Sequence, residues 1–158
     1  MRLEVTREVA AARQVVWDVL TRWEEQPRWM LDAVSVEVLT PARTGVGVTL
    51  RCPTNLLGVI VDDVMRVTRY EEPAVLEVIH LGGIITGEGG FELEPLVAQS
   101  SGPGTRITWW EEVVPPLGHV GAWGAERLVL PVLERIFARS LARLAALAEA
   151  DAAPDRGR

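Results

Sequence analysis

The chain has 158 residues, of which 48% are hydrophobic and 24% charged, and its formal net charge is −6. This length and balance are typical of one globular domain. The acidic charge argues against nucleic-acid binding, which needs a basic surface to face the phosphates. No run of about eighteen apolar residues predicts a membrane span, and the first residues lack the apolar core of a signal peptide. We therefore expect a cytoplasmic protein, and the single cysteine, Cys52, excludes an internal disulfide.

The beginning of the chain predicts a strand followed by a helical segment rich in tryptophan. Residues 3–7 alternate apolar and polar side chains, which is typical of a half-buried strand. Between Ala11 and Met30 the apolar residues recur at helical spacing. This segment carries three tryptophans six residues apart: Trp17, Trp23 and Trp29. Pro27 disfavours a helical conformation in the residue before it, so we expect the helix to break at Gln26 and to restart briefly.

Alternating apolar and polar residues predict several strands through the middle of the chain. The segments with this period are 34–38, 48–52, 59–68, 75–80, 91–94 and 105–114. Residues typical of turns, mainly Pro and Gly, lie between most of them. The glycines at 82–83 and 87–90 predict a bulge or bend that lets a sheet curl. The middle of the chain is therefore expected to form hairpins of a curved sheet.

The end of the chain predicts one long amphipathic helix, from roughly Ala125 to Glu149. Its apolar residues recur every three or four positions: Leu130, Leu133, Phe137, Leu141, Leu144 and Ala148. Pro131 either begins the regular helix in its first turn or kinks a longer one. A single helix after so many strands can bury its apolar face only across the concave face of the sheet. We expect one domain over residues 1–150, with a polar, frayed tail at 151–158.

Several runs, taken in order, resemble the START/polyketide-cyclase superfamily (SRPBCC, helix-grip fold). They are VVWDVLTRWEEQPRW, VSVEVLTPARTGVGVTL, VMRVTRYEEPAVLEV, GGFELEP, GTRITW and LERIFARSLARLAAL, and they extend from Val5 to about Glu149. The resemblance, to a member of the polyketide cyclase/dehydrase type, implies an α+β domain. In it a curved seven-stranded antiparallel sheet wraps around the C-terminal helix, two short helices follow the first strand, and a cavity separates sheet and helix. The superfamily includes lipid carriers, aromatase/cyclases, hydrolases and chaperone activators, so this fold does not name a reaction.

The alternation within each strand predicts which polar side chains face the cavity. If the apolar positions mark the inward face, four polar or reactive side chains share it: Cys52, Asp63, His80 and Glu111. A register slip of one residue would exchange Asp63 for Asp62 and Glu111 for Glu112. His80 is the natural general base or ligand partner, although a structural hydrogen bond is the alternative. Cys52 is interpreted as a small buried hydrophobe, because no basic residue near it in sequence would activate the thiol.

Two further tryptophans are candidates for the wall of the pocket. Trp109 and Trp110 point to opposite sides of one strand, and the parity of the strand places Trp109 inside. Trp123, in the segment LGHVGAWGAE, either caps the mouth of the pocket or fills the core. We therefore include Trp109 and Trp123 among the predicted ligand-binding residues.

The sequence lacks the common motifs of cofactor and metal sites. His80 and His119 belong to no spaced metal-binding cluster, GEGG at 87–90 lacks the frame of a phosphate-binding loop, and no GxSxG motif occurs. We therefore expect no metal site and no cofactor.

Two functional classes remain, together with a weaker third. The first is a carrier, sensor or sequestering protein for a small hydrophobic molecule, such as a lipid or a polyketide. The second is an aromatase/cyclase that uses acid/base groups on a folded chain. The sequence shows no compact acid/base pair and so slightly favours the first class. A protein-interaction role, with an outer face that includes Trp110, is the third, and a homodimer is compatible with the sequence.

Overall fold

The structure, a computed structural model, describes residues 2–99, 102–113 and 129–153, and within them seven antiparallel strands form a single sheet. The strands are β1 (Arg2–Val9), β2 (Glu37–Val38), β3 (Thr49–Leu56), β4 (Val59–Glu71), β5 (Val75–Leu81), β6 (Thr86–Gln99) and β7 (Gly102–Val113). The helices are α1 (Arg13–Leu20), a 3-10 helix (Trp23–Arg28) and α2 (Leu130–Ala152). The sheet order is β1-β7-β6-β5-β4-β3-β2. The predicted α+β architecture is confirmed.

The inward face of the sheet follows the predicted alternation. On β3, Leu50 and Cys52 are buried while Arg51 between them is exposed. On β4, Asp63 and Val67 are buried by the same rule, because successive side chains of a strand point to opposite faces. The core lies between this face and the helices.

Helix α2 buries one side against β1 and α1. The buried residues of its predicted stripe are Phe137, Leu141, Leu144 and Ala148, whereas Leu130 and Leu133 are half-buried. Pro131 lies in the first turn, where its missing N–H removes no helical hydrogen bond. Among the described residues the helix begins at Leu130, and residues 125–128, on which the alternative of a longer kinked helix depends, lie outside them.

The C-terminal end of α2 extends further than predicted. The helix continues to Ala152 instead of ending near Glu149. Asp151, which we expected to begin a frayed tail, accepts a hydrogen bond from Arg22 at 2.8 Å. This ion pair joins the last turn of the helix to the segment after α1. Residues 154–158 of the predicted tail lie outside the described residues.

The predicted break at Gln26 is wrong, because a 3-10 helix runs through Pro27. The backbone N–H of Trp29 donates to the carbonyl of Gln26 at 3.0 Å, which continues the turn beyond the proline. The Gln26 side chain is buried, and its Nε2 donates to the carbonyl of Leu20 at 2.9 Å. This bond between the two helices offsets the preference of a residue before proline for extended backbone.

The predicted strand at 34–38 is shortened to Glu37–Val38. Residue Val34 is 53% exposed, and its backbone N–H donates to the carbonyl of Pro53. Pro53 cannot return the second hydrogen bond that continues a strand ladder, because it has no N–H. Beyond Pro53, the pairing of this segment with β3 continues among the described residues only as an isolated antiparallel bridge between Ala33 and Thr54.

Two other predicted bounds also shift. The last strand begins earlier than predicted, since β7 starts at Gly102 instead of residue 105, and residues 100 and 101 lie outside the described residues. The last strand ends at Val113 within the described part of the chain. No helix in these described ranges is long and apolar enough to cross a membrane.

Candidate functional site

A cavity of about 410 Å³ lies between the concave face of the sheet, the 3-10 helix and α2. Most of its wall is apolar, including Leu50, Met65, Leu76, Val78, Phe91, Leu133 and Phe137. The wall includes few polar side chains: Gln26, Asp32, Thr54, Asp63, His80 and Glu111. The gap predicted between helix and sheet is therefore present.

Three of these polar side chains form a hydrogen-bonded cluster on the sheet. His80 on β5 has its Nδ1 atom 2.9 Å from Oδ2 of Asp63 on β4. Its Nε2 atom lies 3.1 Å from Oε2 of Glu111 on β7. The side chains of Asp63 and His80 are nearly inaccessible to solvent, and that of Glu111 is 14% exposed. The structure thus brings together the compact acid/base group that the sequence pattern did not reveal.

Gly89 allows Glu111 to reach His80 across an intervening strand. Strand β6 lies between β5 and β7, and Gly89 of β6 is directly paired with Glu111. A Cβ atom added at Gly89 would overlap the Glu111 carboxylate. The missing side chain therefore leaves the space in which the carboxylate lies over β6.

His80 is held as an imidazolium ion. Burial by itself would lower the pKa of His80, but the hydrogen bonds to Asp63 and Glu111 and their negative charges outweigh it and raise the pKa to about 10. Because both partners are carboxylates, both ring nitrogens act as donors in this form. At neutral pH the ring therefore has no lone pair with which to accept a proton, and the predicted role of general base does not fit this arrangement.

Trp109 connects the cluster to the aromatic part of the wall. Its Nε1–H donates to Oε1 of Glu111 at 2.9 Å. Its ring stacks on Phe137 of α2, with the ring centroids 3.8 Å apart and the planes at 13°. The indole thus orients the Glu111 carboxylate and contacts the closing helix at the same time.

Asp32 is a cavity residue that the sequence pattern did not reveal. It follows the 3-10 helix in a segment without regular period, so no strand parity could assign its direction. Its backbone is held in place by neighbours: the Asn55 N–H donates to the Asp32 carbonyl at 2.7 Å, and the Leu31 N–H donates to Oγ of the buried Ser140. The only available signal was an acidic residue directly after an apolar run.

The Asp32 carboxylate has an unusual electrostatic environment. Its Oδ1 atom is buried and has no hydrogen-bond partner. Burial raises the pKa of Asp32 to about 6, and although its own backbone lowers this pKa, the charges of Glu111 and Asp63 raise it further. Asp32 can therefore exchange a proton near neutral pH.

Cys52 lies in the same wall without chemical activation. Burial raises the pKa of the thiol to about 11. The Thr54 hydroxyl lies 3.7 Å from Sγ, but its main acceptor is the Cys52 carbonyl at 3.0 Å. This environment favours a packing role for the thiol over nucleophilic chemistry.

The structure places five of the six predicted site residues along one cavity: Cys52, Asp63, His80, Trp109 and Glu111. The sixth, Trp123, lies outside the described residues. That the five residues bind a ligand stays a prediction. Among the described residues, no group of three or more His, Cys, Asp or Glu side chains has the arrangement of a metal site.

The alternative neighbours that a register slip would have exchanged face outward. Asp62 pairs with Arg51 at 2.8 Å, and Glu112 lies 3.8 Å from Arg2. Trp110 also lies on the outer face, where the Arg2 guanidinium is 5.8 Å from its ring centroid. The register of β4 and β7 therefore directs Asp63, Glu111 and Trp109 inward.

A sequence profile of the family described as "Polyketide cyclase / dehydrase and lipid transport" matches residues 1–149. The chain belongs to this family. No curated protein matches the sequence.

Solved structures share the fold at low sequence identity. The Zhui aromatase/cyclase from Streptomyces sp. R1128 has a TM-score of 0.76 at 20% identity, covering 100% of this chain and 99% of its own. A protein of Thermus thermophilus has a TM-score of 0.77 at 16% identity, and the match covers 97% of this chain and 100% of that protein. A START superfamily protein from Mycobacterium smegmatis has a TM-score of 0.61 at 16% identity, covering 96% of each chain. The family and the fold predicted from the sequence are thus shown.

Proposed function

We propose that the protein binds a small, mainly apolar molecule in the cavity between sheet and α2, as a carrier, a sensor or a sequestering protein. The observation that carries the proposal is the cavity itself. Its volume of about 410 Å³ lies within the range of small-molecule sites, and such sites combine apolar walls with a few placed polar groups. The family description, which includes lipid transport, supports the same class of ligand.

The wall offers a favourable surface to an aromatic or aliphatic ligand. The rings of Phe91, Trp109 and Phe137 meet there. The centroid of the Trp109 ring lies 5.1 Å from that of Phe91 and 3.8 Å from that of Phe137. A ligand that replaces water against these rings gains free energy in proportion to the apolar area it covers. Binding to the folded state alone would also raise the melting temperature.

The proposal is tested with the neutral dye Nile red, followed by dye emission, tryptophan quenching and thermal unfolding. Val78 lines the cavity, so Val78→Phe should fill part of it and weaken dye binding about tenfold or more. The matched control is Ile79→Phe, one residue along β5 and on the other face of the strand. Equal binding by the wild type and both variants would contradict the cavity as the site.

A second candidate is an acid/base enzyme of the aromatase/cyclase type. The observation that favours it is the cluster of His80, Asp63 and Glu111 beside Asp32, whose pKa of about 6 suits a general base. In this arrangement the Asp32 carboxylate would remove a proton from a carbon between two carbonyls and, as a carboxylic acid, return it to the enolate that forms. The charges of Glu111 and Asp63, which raise the pKa of Asp32, would strengthen it as a base. The solved aromatase/cyclase with the same fold supports the comparison.

Deuterium exchange separates the two candidates. An enzyme should accelerate exchange of the C2 protons of an apolar 1,3-diketone in D₂O, and Asp32→Asn should abolish the acceleration while Nile red still binds. Exchange at the uncatalysed rate, together with tight binding of the diketone, would assign the protein to the carriers.

A further inference from the structure

The side-chain donors in the cavity wall are already used within the protein. These donors and their acceptors are Trp23 Nε1 to the Arg43 carbonyl at 2.8 Å, Gln26 Nε2 to the Leu20 carbonyl at 2.9 Å, Thr54 Oγ1 to the Cys52 carbonyl at 3.0 Å, and Trp109 Nε1 to Glu111 at 2.9 Å. His80 uses both ring nitrogens for Asp63 and Glu111. Within the described part of the wall, what remains is the second amide N–H of Gln26 and the Cys52 thiol, which is a weak donor.

Acceptors, in contrast, remain available. Asp32 Oδ1 is buried without a partner, and each oxygen of Glu111 retains a lone pair beyond its single hydrogen bond. The described residues of the wall include three carboxylates and one imidazolium ion but no arginine, and the chain contains no lysine. With all four groups ionised, the wall carries a net charge of −2, from three negative charges and one positive.

We propose that the cavity selects apolar molecules that present a hydrogen-bond donor, either a hydroxyl or an amino group, to Asp32, and that it rejects carboxylates. This inference rests on the proposed function, since it names the chemical class of the ligand in the same cavity. A buried acceptor without a partner is costly, and a donor from the ligand removes that cost.

A carboxylate ligand meets the opposite situation. Fatty acids are held in proteins by donors that satisfy the carboxylate, and here the strongest donor, the His80 imidazolium, is enclosed by Asp63 and Glu111. A buried anion would also lie near the charge of Asp32 with little solvent screening. The selectivity therefore arises from charge and from donor supply, whereas the apolar wall accepts any chain that fits.

The test compares three ligands that share one alkyl chain and differ in the head group: decan-1-ol, decylamine and decanoate. Dissociation constants are measured by isothermal titration calorimetry at about pH 8, where Asp32 is ionised. We expect decan-1-ol and decylamine to bind at least about tenfold more tightly than decanoate, a ratio that a single unfavourable charge pair can produce. Comparing the first two ligands shows whether a neutral or a cationic donor is preferred.

Two variants assign the selectivity to Asp32. Asp32→Asn should bring the affinity of decanoate to within about threefold of that of decan-1-ol, because the amide provides a donor and removes the charge. Asp62→Asn is the matched control, since Asp62 lies on the outer face in a pair with Arg51, and it should keep the selectivity of the wild type.

The outcomes separate this inference from the proposed function. Decanoate binding as tightly as decan-1-ol in the wild type would overturn the inference and leave the binding function standing. Unchanged selectivity in Asp32→Asn would overturn the role of Asp32. If none of the three ligands and no Nile red binds, the proposed function itself fails, and the inference fails with it.

Discussion

Replacing His80 by leucine should change how the stability of the protein depends on pH. The substitution replaces the imidazole on β5 by an apolar side chain of similar size and removes both N–H donors. It leaves the carboxylates of Asp63 and Glu111 without their common partner, with their side chains only 4% and 14% exposed. We expect this variant to be less stable by about 3–5 kcal/mol near neutral pH, the usual cost of stranding a buried charge.

The pH dependence follows from the shifted pKa of His80. The pKa is raised from 6.5 to about 10, and each unit corresponds to about 1.4 kcal/mol, so the ionised ring contributes about 5 kcal/mol. The folded protein holds the His80 proton more tightly than the unfolded chain does. The contribution is therefore complete below the pKa of His80 in the unfolded chain, and it is lost as the pH rises through the pKa of His80 in the folded protein. Between about pH 6.5 and pH 8.5 the wild type should therefore lose about 2 kcal/mol.

Urea unfolding followed by tryptophan fluorescence, at several pH values in this window, measures the effect. Cys52 contributes little in this window, because its thiol titrates near its ordinary value of 9.0 in the unfolded chain and burial raises its pKa to about 11 in the folded protein. The wild type and the control Asp62→Asn should show the same fall in unfolding free energy. The fall should be absent when His80→Leu is combined with Asp63→Asn and Glu111→Gln, because no stranded carboxylate is then left in the cluster to titrate. A flat profile in the wild type, or the same fall in this triple variant, would refute the assignment of His80 as a buried imidazolium ion.

Three further substitutions test the packing of α2, the space that Gly89 leaves for Glu111, and the unpaired carboxylate of Asp32. Leu141→Ala should cost about 2–5 kcal/mol in urea unfolding because Leu141 is buried in α2, and a loss below about half a kcal/mol would contradict the predicted stripe. Gly89→Ala should displace the Glu111 carboxylate and lower the His80 pKa measured by NMR, whereas the control Gly83→Ala, which has open space around it, should leave that pKa unchanged. Asp32→Asn should stabilise the protein at about pH 8 by up to about 3 kcal/mol, because the pKa of Asp32 is raised to about 6 and the wild type loses stability as this carboxyl group ionises. The gain should vanish near pH 4, and a variant less stable than the wild type at pH 8 would contradict this explanation.

The direction of each strand residue was predictable because it is a local property. The period of two assigns Asp63 and Glu111 to the apolar face and Asp62 to the opposite one, and the paired register agrees with this assignment. The stripe of α2 was predictable for the same reason, since its apolar positions recur at the helical period. These patterns, together with the family resemblance, were sufficient to predict the fold.

The tertiary structure decided which side chains meet and in what charge state. His80 lies 17 residues from Asp63 and 31 from Glu111, and the contact with Glu111 requires a glycine on the strand between them. Asp32 follows a 3-10 helix whose course no local period describes, and backbone bonds to Asn55 and Ser140 hold its segment at the cavity. The raised pKa values of His80 and Asp32 arise from burial and from charges on distant parts of the chain, because desolvation and Coulomb interactions depend on positions in space that composition and spacing do not encode.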